Sequence, residues 1–276
     1  MSIAVAHTGV VPAMTTTVTT ARWWRPLGST WRTVSAVCRA GAQPVIIDVR
    51  VDDRDDHSGA RIRATVHDRL RRLGIEQLPV VHLHDPAFHP FDLLTESGGA
   101  VDTLVELRSG GEIGAIGVAG ADPVRLSRYV DLGVLDAVRV HGRWTLVDRS
   151  AGPLIDRAAA AGLTVVNTGV FGGGLLGSVG AGAAQLSRSR RPELAAAARA
   201  MGLVCRWWGT DLATAALLFS VRDHRVDSTV TGLTTSAALS WTREALESDL
   251  VEPFWDELET LVPATQHHTH HHPDRR

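Results

Sequence analysis

Residues 79–86, P-V-V-H-L-H-D-P, are the stretch that decides the fold. Its two valines and its leucine give the apolar content of a strand that is covered on both faces, as strands in parallel sheets are. His82, His84 and Asp85 form a polar cluster where this strand would end. In a parallel α/β barrel, the carboxyl ends of the strands carry the catalytic side chains. The stretch therefore predicts either an active-site strand or two packed histidines followed by a turn.

Strand and helix patterns alternate on both sides of this stretch. Further strands are predicted at 44–51, 113–118, 135–141, 163–168 and 228–231, and helices at 59–74, 101–108, 123–132, 150–161, 192–201, 211–220, 236–247 and 252–261. The alternation calls for a parallel sheet. Helices of similar length after five or six strands favour a closed (β/α)8 barrel of the TIM type over an open sheet. We expect one domain over 1–263.

The two ends of the chain are harder to interpret. A helix is predicted over 30–39, because Trp31, Val34 and Cys38 fall on one helical face. The last residues, 264–276, contain five histidines and are expected to be an unstructured tail. Such a cluster can bind Ni or Zn adventitiously. No other pattern suggests a metal site, so we predict none.

Composition limits the possible partners. The 276 residues carry a formal net charge of -2, which favours neither nucleic acid nor a membrane surface as a partner. There is no apolar run of the roughly 20 residues that cross a bilayer, and no signal-peptide pattern, so a cytoplasmic location is predicted. The chain has no lysine, which excludes any mechanism that requires one. We expect a small-molecule substrate.

Six segments, taken in order, carry a resemblance to a known family. They are R-A-T-V-H-D-R-L-R-R-L-G-I-E (63–76), V-V-H-L-H-D-P (80–86), L-V-E-L-R-S-G-G-E-I-G-A-I-G-V-A-G (104–120), V-H-G-R-W-T-L-V-D-R-S (140–150), G-L-T-V-V-N-T-G-V-F-G-G-G-L-L (162–176) and V-T-G-L-T-T-S-A (230–237). Over about residues 60–262 the chain resembles the aldo-keto reductase superfamily, in particular its sugar (aldose or galactose) dehydrogenase-like branch. The resemblance implies a (β/α)8 barrel that transfers hydride between a carbonyl or hydroxyl and NAD(P), using an Asp–Lys–Tyr–His set.

The catalytic set of that family is incomplete here. His84 matches the family histidine, but the lysine is absent and the only tyrosine, Tyr129, lies in a predicted helix. The front of the chain is shorter than in the family by about one strand–helix unit, so its barrel is expected to be incomplete or altered there. If 44–51 is the second strand, Asp48 is the family aspartate; if it is the third, Arg50 replaces the lysine.

The resemblance also points to residues that would bind a cofactor. Trp144 matches the aromatic that stacks on nicotinamide, or else only caps the barrel. Gly172 and Gly173 lie in a loop whose backbone can approach a pyrophosphate. Thr234 stands where the family binds the adenosine phosphate, and Asn167 is a further candidate. Because the family's polar pair after the fifth strand is Ala-Gly here, we predict either no cofactor or weakly bound NADP or NAD.

Three functions are compatible with this sequence. The first is acid–base chemistry without redox, as in a dehydratase, isomerase or cyclase, with His84 as the main acid or base and Asp48 or Asp85 setting its charge. In this first function, His82 assists His84. The second is an NAD(P)H-dependent oxidoreductase with a substituted proton donor. The third is a non-catalytic subunit, with homo-oligomerisation as an option.

The sequence favours the first function by a small margin. Two further polar residues, His141 and Arg143, would then orient an oxygenated substrate at the end of the barrel. Alternation along the strand places His82 and His84 on the same side, which supports a paired role. Binding of a dinucleotide at micromolar concentration would overturn this choice.

Overall fold

The structure is a computed structural model. It describes residues 9–11, 16–24, 31–39, 48–51, 58–84, 86, 90–177, 191–231 and 236–263. For the strands that precede residue 58, it gives the backbone pairing. The predicted site residues Asp85 and Thr234 lie outside the described residues, as does the histidine-rich tail.

In the described part of the chain, nine strands form one sheet in the order β1-β2-β3-β9-β8-β7-β6-β5-β4. Their bounds are β1 Gly9–Val11, β2 Thr16–Trp24, β3 Trp31–Arg39, β4 Asp48–Val51, β5 Leu78–His84, β6 Ile113–Gly120, β7 Ala137–His141, β8 Thr164–Thr168 and β9 Ser228–Thr231. Strands β4 to β9 pair in parallel and in sequence order. This run of parallel strands, linked by helices, confirms the predicted α/β class.

Helices connect the parallel strands. They are α1 Gly59–Leu73, α2 Phe91–Thr95, α3 Ala100–Ser109, α4 Pro123–Val130, α5 Gly152–Ala160, α6 Pro192–Trp207, α7 Leu212–Arg222, α8 Ser236–Leu246 and α9 Glu252–Glu259. Their ends follow local sequence signals. Ser58, Asp122 and Asp211 cap the helices that follow them, and Gly74 ends α1 in the left-handed conformation at φ 65°. Among the described residues, the helices are all too short or too polar to cross a membrane.

The predicted helix over 30–39 is wrong. The segment is strand β3, which pairs antiparallel with β2 along its whole length and with β9 at its end. Its helical spacing of apolar residues competed with a content of valine, threonine and tryptophan that suits strands. The partner strand β2 decides between them, and a pattern within one segment cannot reveal a partner. The front of the sheet, β1 to β3, is therefore antiparallel.

Strand β4 bears on one alternative that the sequence left open. It pairs in parallel directly with β5, with Asp48 opposite Val80 and Arg50 opposite His82. If β5 is the fourth strand of the barrel, β4 therefore stands in the position of the third. That register favours Arg50, rather than Asp48, as the residue on the strand where the family lysine is expected.

The two faces of the parallel strands differ in composition. The face that carries His82 and His84, here named the inner face, has Val80, His82, His84, Ala115, Gly117, Ala119, Ala137, Arg139, His141, Val166 and Thr168 by alternation and register. The opposite face packs on the helices and is mainly apolar, with Val81, Leu83, Ile116, Val118, Val138, Val140 and Val165 all buried. Small residues on β6 leave room on the inner face for longer side chains from its neighbours.

Candidate active site

A cavity of about 370 Å³ lies at the carboxyl ends of β7 and β8. It is lined by His141, Gly142, Arg143, Thr145, Val147, Asp148, Gly169, Gly172, Gly173, Leu175, Arg191 and Leu194. The volume is within the range of small-molecule sites. Four residues of this lining were predicted from the sequence, namely His141, Arg143, Gly172 and Gly173.

Arg143 is held in a fixed orientation on the cavity wall. Its Nε donates to the carbonyl of Ala121 at 2.9 Å, and its Nη1 contacts the carboxylate of Asp148 at 3.3 Å. The first contact ties the loop after β7 to the loop after β6. The side chain is 38% exposed, so the guanidinium is both anchored by the protein and open to the cavity. A planar guanidinium in this setting suits a phosphate or carboxylate.

Asp148 is the buried anion behind this wall. Its carboxylate accepts from Arg191 Nη1 at 2.6 Å and from the Ser150 backbone N–H at 3.0 Å. Burial alone would raise the pKa of Asp148, but the hydrogen bonds from Ser150 and the charge of Arg191 outweigh it and lower the pKa. The carboxylate is therefore ionised at neutral pH. It joins arginines from two distant parts of the chain, and the sequence analysis did not single it out.

A glycine loop forms another part of the cavity lining. Gly172–Gly174 make one 3-10 turn, and Gly172 and Gly173 have φ values of +57° and +67°. A Cβ atom placed on Gly173 would meet no atom within 4 Å. The space that a side chain would occupy at Gly173 is thus empty, and the backbone has a conformation that favours glycine. A phosphate group fits such an open stretch of backbone.

His84 ends strand β5 and is half-buried. Ala119 of β6 lies next to it in register, and Arg139 of β7 lies next to Ala119. Two strand spacings separate His84 from β7, or about 10 Å. His84 therefore stands on the same end of the sheet as the cavity, on the inner face.

His82 has a different environment from His84. It is fully buried, and its ring lies over Gly117, where an added Cβ would come within 2.4 Å of its Cδ2. Burial lowers its pKa to about 4, so the ring is neutral at physiological pH. His82 thus fills the space that Gly117 leaves. This structural role competes with the predicted pairing of His82 and His84 in catalysis.

Acidification is expected to destabilise the fold through His82. The unfolded chain has a histidine pKa of about 6.5, so between that value and about 4 the unfolded state binds more protons than the folded one. The stabilisation that comes from the neutral His82 ring is fully present above about pH 6.5. It falls by up to about 3 kcal/mol as the pH drops towards 4. Urea midpoints measured across this range should fall less steeply in His82→Gln than in the unmodified chain. Parallel slopes would contradict the assignment.

Trp144 does not line the cavity. Its ring is 7% exposed and packs against Phe219 at 5.4 Å between ring centroids, with the guanidinium of Arg225 4.8 Å from it. Gly152 lies against the indole as well. The loop after β7 turns the indole towards α7, and Arg143 takes the place on the cavity wall. Trp144 thus packs in the interior, and its stacking on nicotinamide stays a prediction.

Asn167 and Tyr129 are also interior residues. Asn167 is fully buried, and its Nδ2 donates to the Trp144 carbonyl and to the Ser220 hydroxyl, each at 2.8 Å. It therefore holds the loop after β7 against α7 rather than facing the cavity. Tyr129 is buried in α4 beside Phe91, and burial raises its pKa to about 12. A phenol in that position does not replace the family tyrosine.

Arg139 is a charged residue that the sequence analysis missed. It lies in the middle of strand β7, and burial lowers its pKa to about 10, which leaves it charged at neutral pH. The signal was present in A-V-R-V-H, where Arg139 and His141 alternate with valines. A strand that alternates polar and apolar residues has a polar face, here the inner one.

Comparison with known proteins agrees with the resemblance. The sequence profile described as "Aldo/keto reductase family" matches residues 36–263. D-threo-aldose 1-dehydrogenase from a Pseudomonas species is 30% identical over 211 residues, covering 74% of this chain and 62% of that protein. Pyridoxal 4-dehydrogenase from Microbacterium luteolum is 25% identical over 214 residues, with the same shares. The chain thus spans 62% of the length of each of these relatives.

Solved structures agree on the fold. An aldo-keto reductase from Bacillus halodurans, in its holo form, superposes with a TM-score of 0.62 at 20% sequence identity. The superposition covers 78% of this chain and 71% of the other. At this identity the likeness concerns the fold, and it confirms the predicted aldo-keto reductase-type barrel.

Proposed function

The chain belongs to the aldo/keto reductase family, an enzyme family, and from this premise we propose that it is an NAD(P)(H)-dependent oxidoreductase. It would interconvert a carbonyl and a hydroxyl on a small oxygenated molecule. Both relatives named above are dehydrogenases by name, which supports this function over the dehydratase, isomerase or cyclase that the sequence favoured. The sequence favoured acid–base chemistry without redox over an oxidoreductase, and this order is therefore reversed.

One observation carries the proposal: an anchored arginine and an open glycine turn line the same cavity. Arg143 uses Nε and Nη1 on protein acceptors, which leaves Nη2 as a donor for a ligand. Gly173 offers backbone without a side chain. Together they suit the phosphate oxygens of a dinucleotide, whose nicotinamide supplies or accepts the hydride. Arg143 and Gly173 would hold that cofactor at the carboxyl ends of β7 and β8.

His84 is the proposed proton donor. It stands on the cavity's end of the sheet, and a histidine titrates near neutral pH without the help that a phenol needs. In reduction, the imidazolium gives its proton to the carbonyl oxygen as hydride arrives at carbon. In oxidation, the neutral imidazole takes the hydroxyl proton as hydride leaves. The missing lysine matters less to such a donor, because its role in the family is to tune tyrosine.

Titration with NADPH and NADH tests the proposal directly. Quenching of tryptophan fluorescence should report saturable binding of at least one of them in the micromolar range. D-threose with NADP or NAD, and 2,3-butanedione with NADPH or NADH, then serve as hydroxylated and hydroxyl-free test substrates for turnover. Absence of saturable binding of both NADPH and NADH would overturn the oxidoreductase proposal.

Replacing Gly173 with alanine is expected to weaken dinucleotide binding by about tenfold or more. The added methyl group enters the open space beside the turn, and the strain of a positive φ adds about 1–2 kcal/mol against folding. Gly162→Ala is the matched control, because Gly162 has φ +72° and also open space, but lies after α5 outside the cavity. Thermal melting should show similar losses for both variants, and fluorescence titration a loss of binding for Gly173→Ala alone. Equal binding by both would remove the glycine turn from the site.

A further inference from the structure

Asp148 has a fixed position behind the cavity wall. Its side chain is 3% exposed. Its N–H donates to the Thr145 hydroxyl at 3.0 Å, and its carbonyl accepts from the Thr145 N–H at 2.8 Å. One carboxylate oxygen, Oδ1, accepts from the Ser150 N–H at 3.0 Å. The loop after β7 therefore fixes both the backbone of Asp148 and the direction of its carboxylate.

The second carboxylate oxygen, Oδ2, is shared by two arginines. Arg191 Nη1 donates to it at 2.6 Å, and Arg143 Nη1 contacts it at 3.3 Å. Arg191 reaches it from the start of α6, where Glu193 also accepts from Arg191 Nε at 3.1 Å. The two guanidinium groups repel each other, and the carboxylate between them offsets that repulsion. Asp148 thus allows two cations to line one cavity.

Two contacts determine the orientation of Arg143. Its Nε donates to the Ala121 carbonyl at 2.9 Å, and a single bond of this kind leaves a guanidinium able to pivot about it. The second contact, from Nη1 to Asp148, defines the direction of the guanidinium plane. We propose that Asp148 is a positioning residue of the dinucleotide site, which holds the Arg143 guanidinium in the orientation that meets a phosphate group. The ligand in this inference rests on the proposed function, but the orientation of Arg143 does not.

A purely structural role for Asp148 has a different consequence. If the carboxylate only joins the loop after β7 to α6, its loss lowers the free energy of unfolding and leaves ligand affinity unchanged. A positioning role instead raises the Kd of the dinucleotide, and it does so through Arg143.

Asp148→Asn separates the two roles. The amide keeps the size of the side chain, but its single acceptor oxygen faces the three donors of Ser150, Arg191 and Arg143. The contact of Arg143 is the longest of the three, and we expect it to be lost first.

Nitrogen NMR of the arginine side chains tests the orientation without any ligand. Arg143→Lys identifies the Arg143 signals by their loss. In the unmodified chain, Nη1 and Nη2 of Arg143 should give separate signals, because the contact with Asp148 hinders rotation of the guanidinium. Asp148→Asn should merge these two signals, while the Nε–H, which donates to Ala121, remains protected from exchange. A single averaged Nη signal in the unmodified chain would overturn the inference, whether or not dinucleotides bind.

Ligand binding then tests what this orientation does. Asp148→Asn should raise the Kd of NADPH or NADH, and that of inorganic pyrophosphate, by about tenfold. The loss should appear in Kd rather than in kcat at saturating dinucleotide, since His84 is unchanged. Asp136→Asn is the matched control. Asp136 also accepts from an arginine and a backbone N–H, Arg108 Nη1 at 2.6 Å and Ile116 N–H at 2.8 Å, but it precedes β7 at the amino end of the strand. Its substitution should change these Kd values by less than about twofold.

A double variant shows whether Asp148 acts through Arg143. Arg143→Ala should itself weaken binding, and adding Asp148→Asn to it should raise the Kd by less than about twofold more. An unchanged Kd in Asp148→Asn, or the full loss of affinity in both backgrounds, would overturn the inference. If neither dinucleotide binds the unmodified chain, the proposed function fails, and the Arg143 signals still decide whether Asp148 orients the guanidinium.

Discussion

Replacing His84 with alanine is expected to lower kcat by about 10²- to 10⁴-fold, the usual contribution of a general acid or base. The side chain lies at the end of β5, the chain has no lysine, and its single tyrosine, Tyr129, is buried in α4. Proton transfer should therefore depend on this one imidazole. Turnover of D-threose or 2,3-butanedione, measured at saturating dinucleotide, gives the loss in kcat. The Kd of the dinucleotide should remain within about twofold, because Arg143 and Gly173 are untouched.

The matched control is His67→Ala. His67 is a partly exposed histidine on α1, paired with Glu112 on the surface. Its loss should leave both kcat and Kd unchanged, since it stands apart from the cavity lining. Full activity of His84→Ala, with normal dinucleotide binding, would mean that another group moves the proton. His141 would then be the first residue to test, because it is the histidine in the cavity lining.

The fold was largely predictable because its main signals are local. Buried strands and capped helices follow one another from α1 to α9, and each leaves a pattern within about fifteen residues of sequence. The front of the chain lacked such signals. The structure gives strand β3 two partners, and the pairing energy lies in residues far away in sequence. A helical spacing in Trp31–Arg39 could not outweigh that pairing.

The candidate site was predictable only in part, for the same reason. Motif order placed His84, Arg143 and the glycine loop, because each belongs to a segment that resembles the family. The direction of a side chain after a strand depends on how the loop turns. The loop after β7 turns Trp144 inwards and Arg143 outwards, although the two are adjacent in sequence. The carboxylate of Asp148 contacts both Arg143 and Arg191. Arg191 lies 43 residues from Asp148 in the sequence, and no local pattern shows the contact between them.

Two adjacent tryptophans, Trp207 and Trp208, lie at the end of α6. Trp207 is 86% exposed at the end of α6, while the indole of Trp208 donates to Glu257 at 2.8 Å. Leu203 precedes Trp207 by one helical turn and is 61% exposed. Homo-oligomerisation through this surface remains a prediction. Sedimentation of the full chain and of Trp207→Ser would show whether the residue supports association.

Gly117→Ala is expected to cost about 1–3 kcal/mol of stability, the usual cost of overfilling a packed interior. The new methyl group would lie 2.4 Å from Cδ2 and 2.7 Å from Nε2 of His82, far inside normal contact distances. The carbonyl oxygen of Ala137, at 3.2 Å, would also have to give slightly. Gly110→Ala is the control substitution, because Gly110 has φ -76° and its nearest atom lies at 3.5 Å. Urea unfolding should find the control neutral or slightly stabilised.

His82→Ala in the same background decides what His82 does. If the imidazole mainly fills the space over Gly117, each single substitution destabilises, and the double variant is more stable than the sum of the two losses by about 1–3 kcal/mol. The methyl group added at position 117 then occupies part of the volume that the ring left. Because His84 is unchanged, the double variant should also keep most of its kcat on D-threose. Strictly additive losses would show that His82 and Gly117 do not contact each other. A large fall in kcat with restored stability would instead return His82 to the catalytic role that strand alternation first suggested.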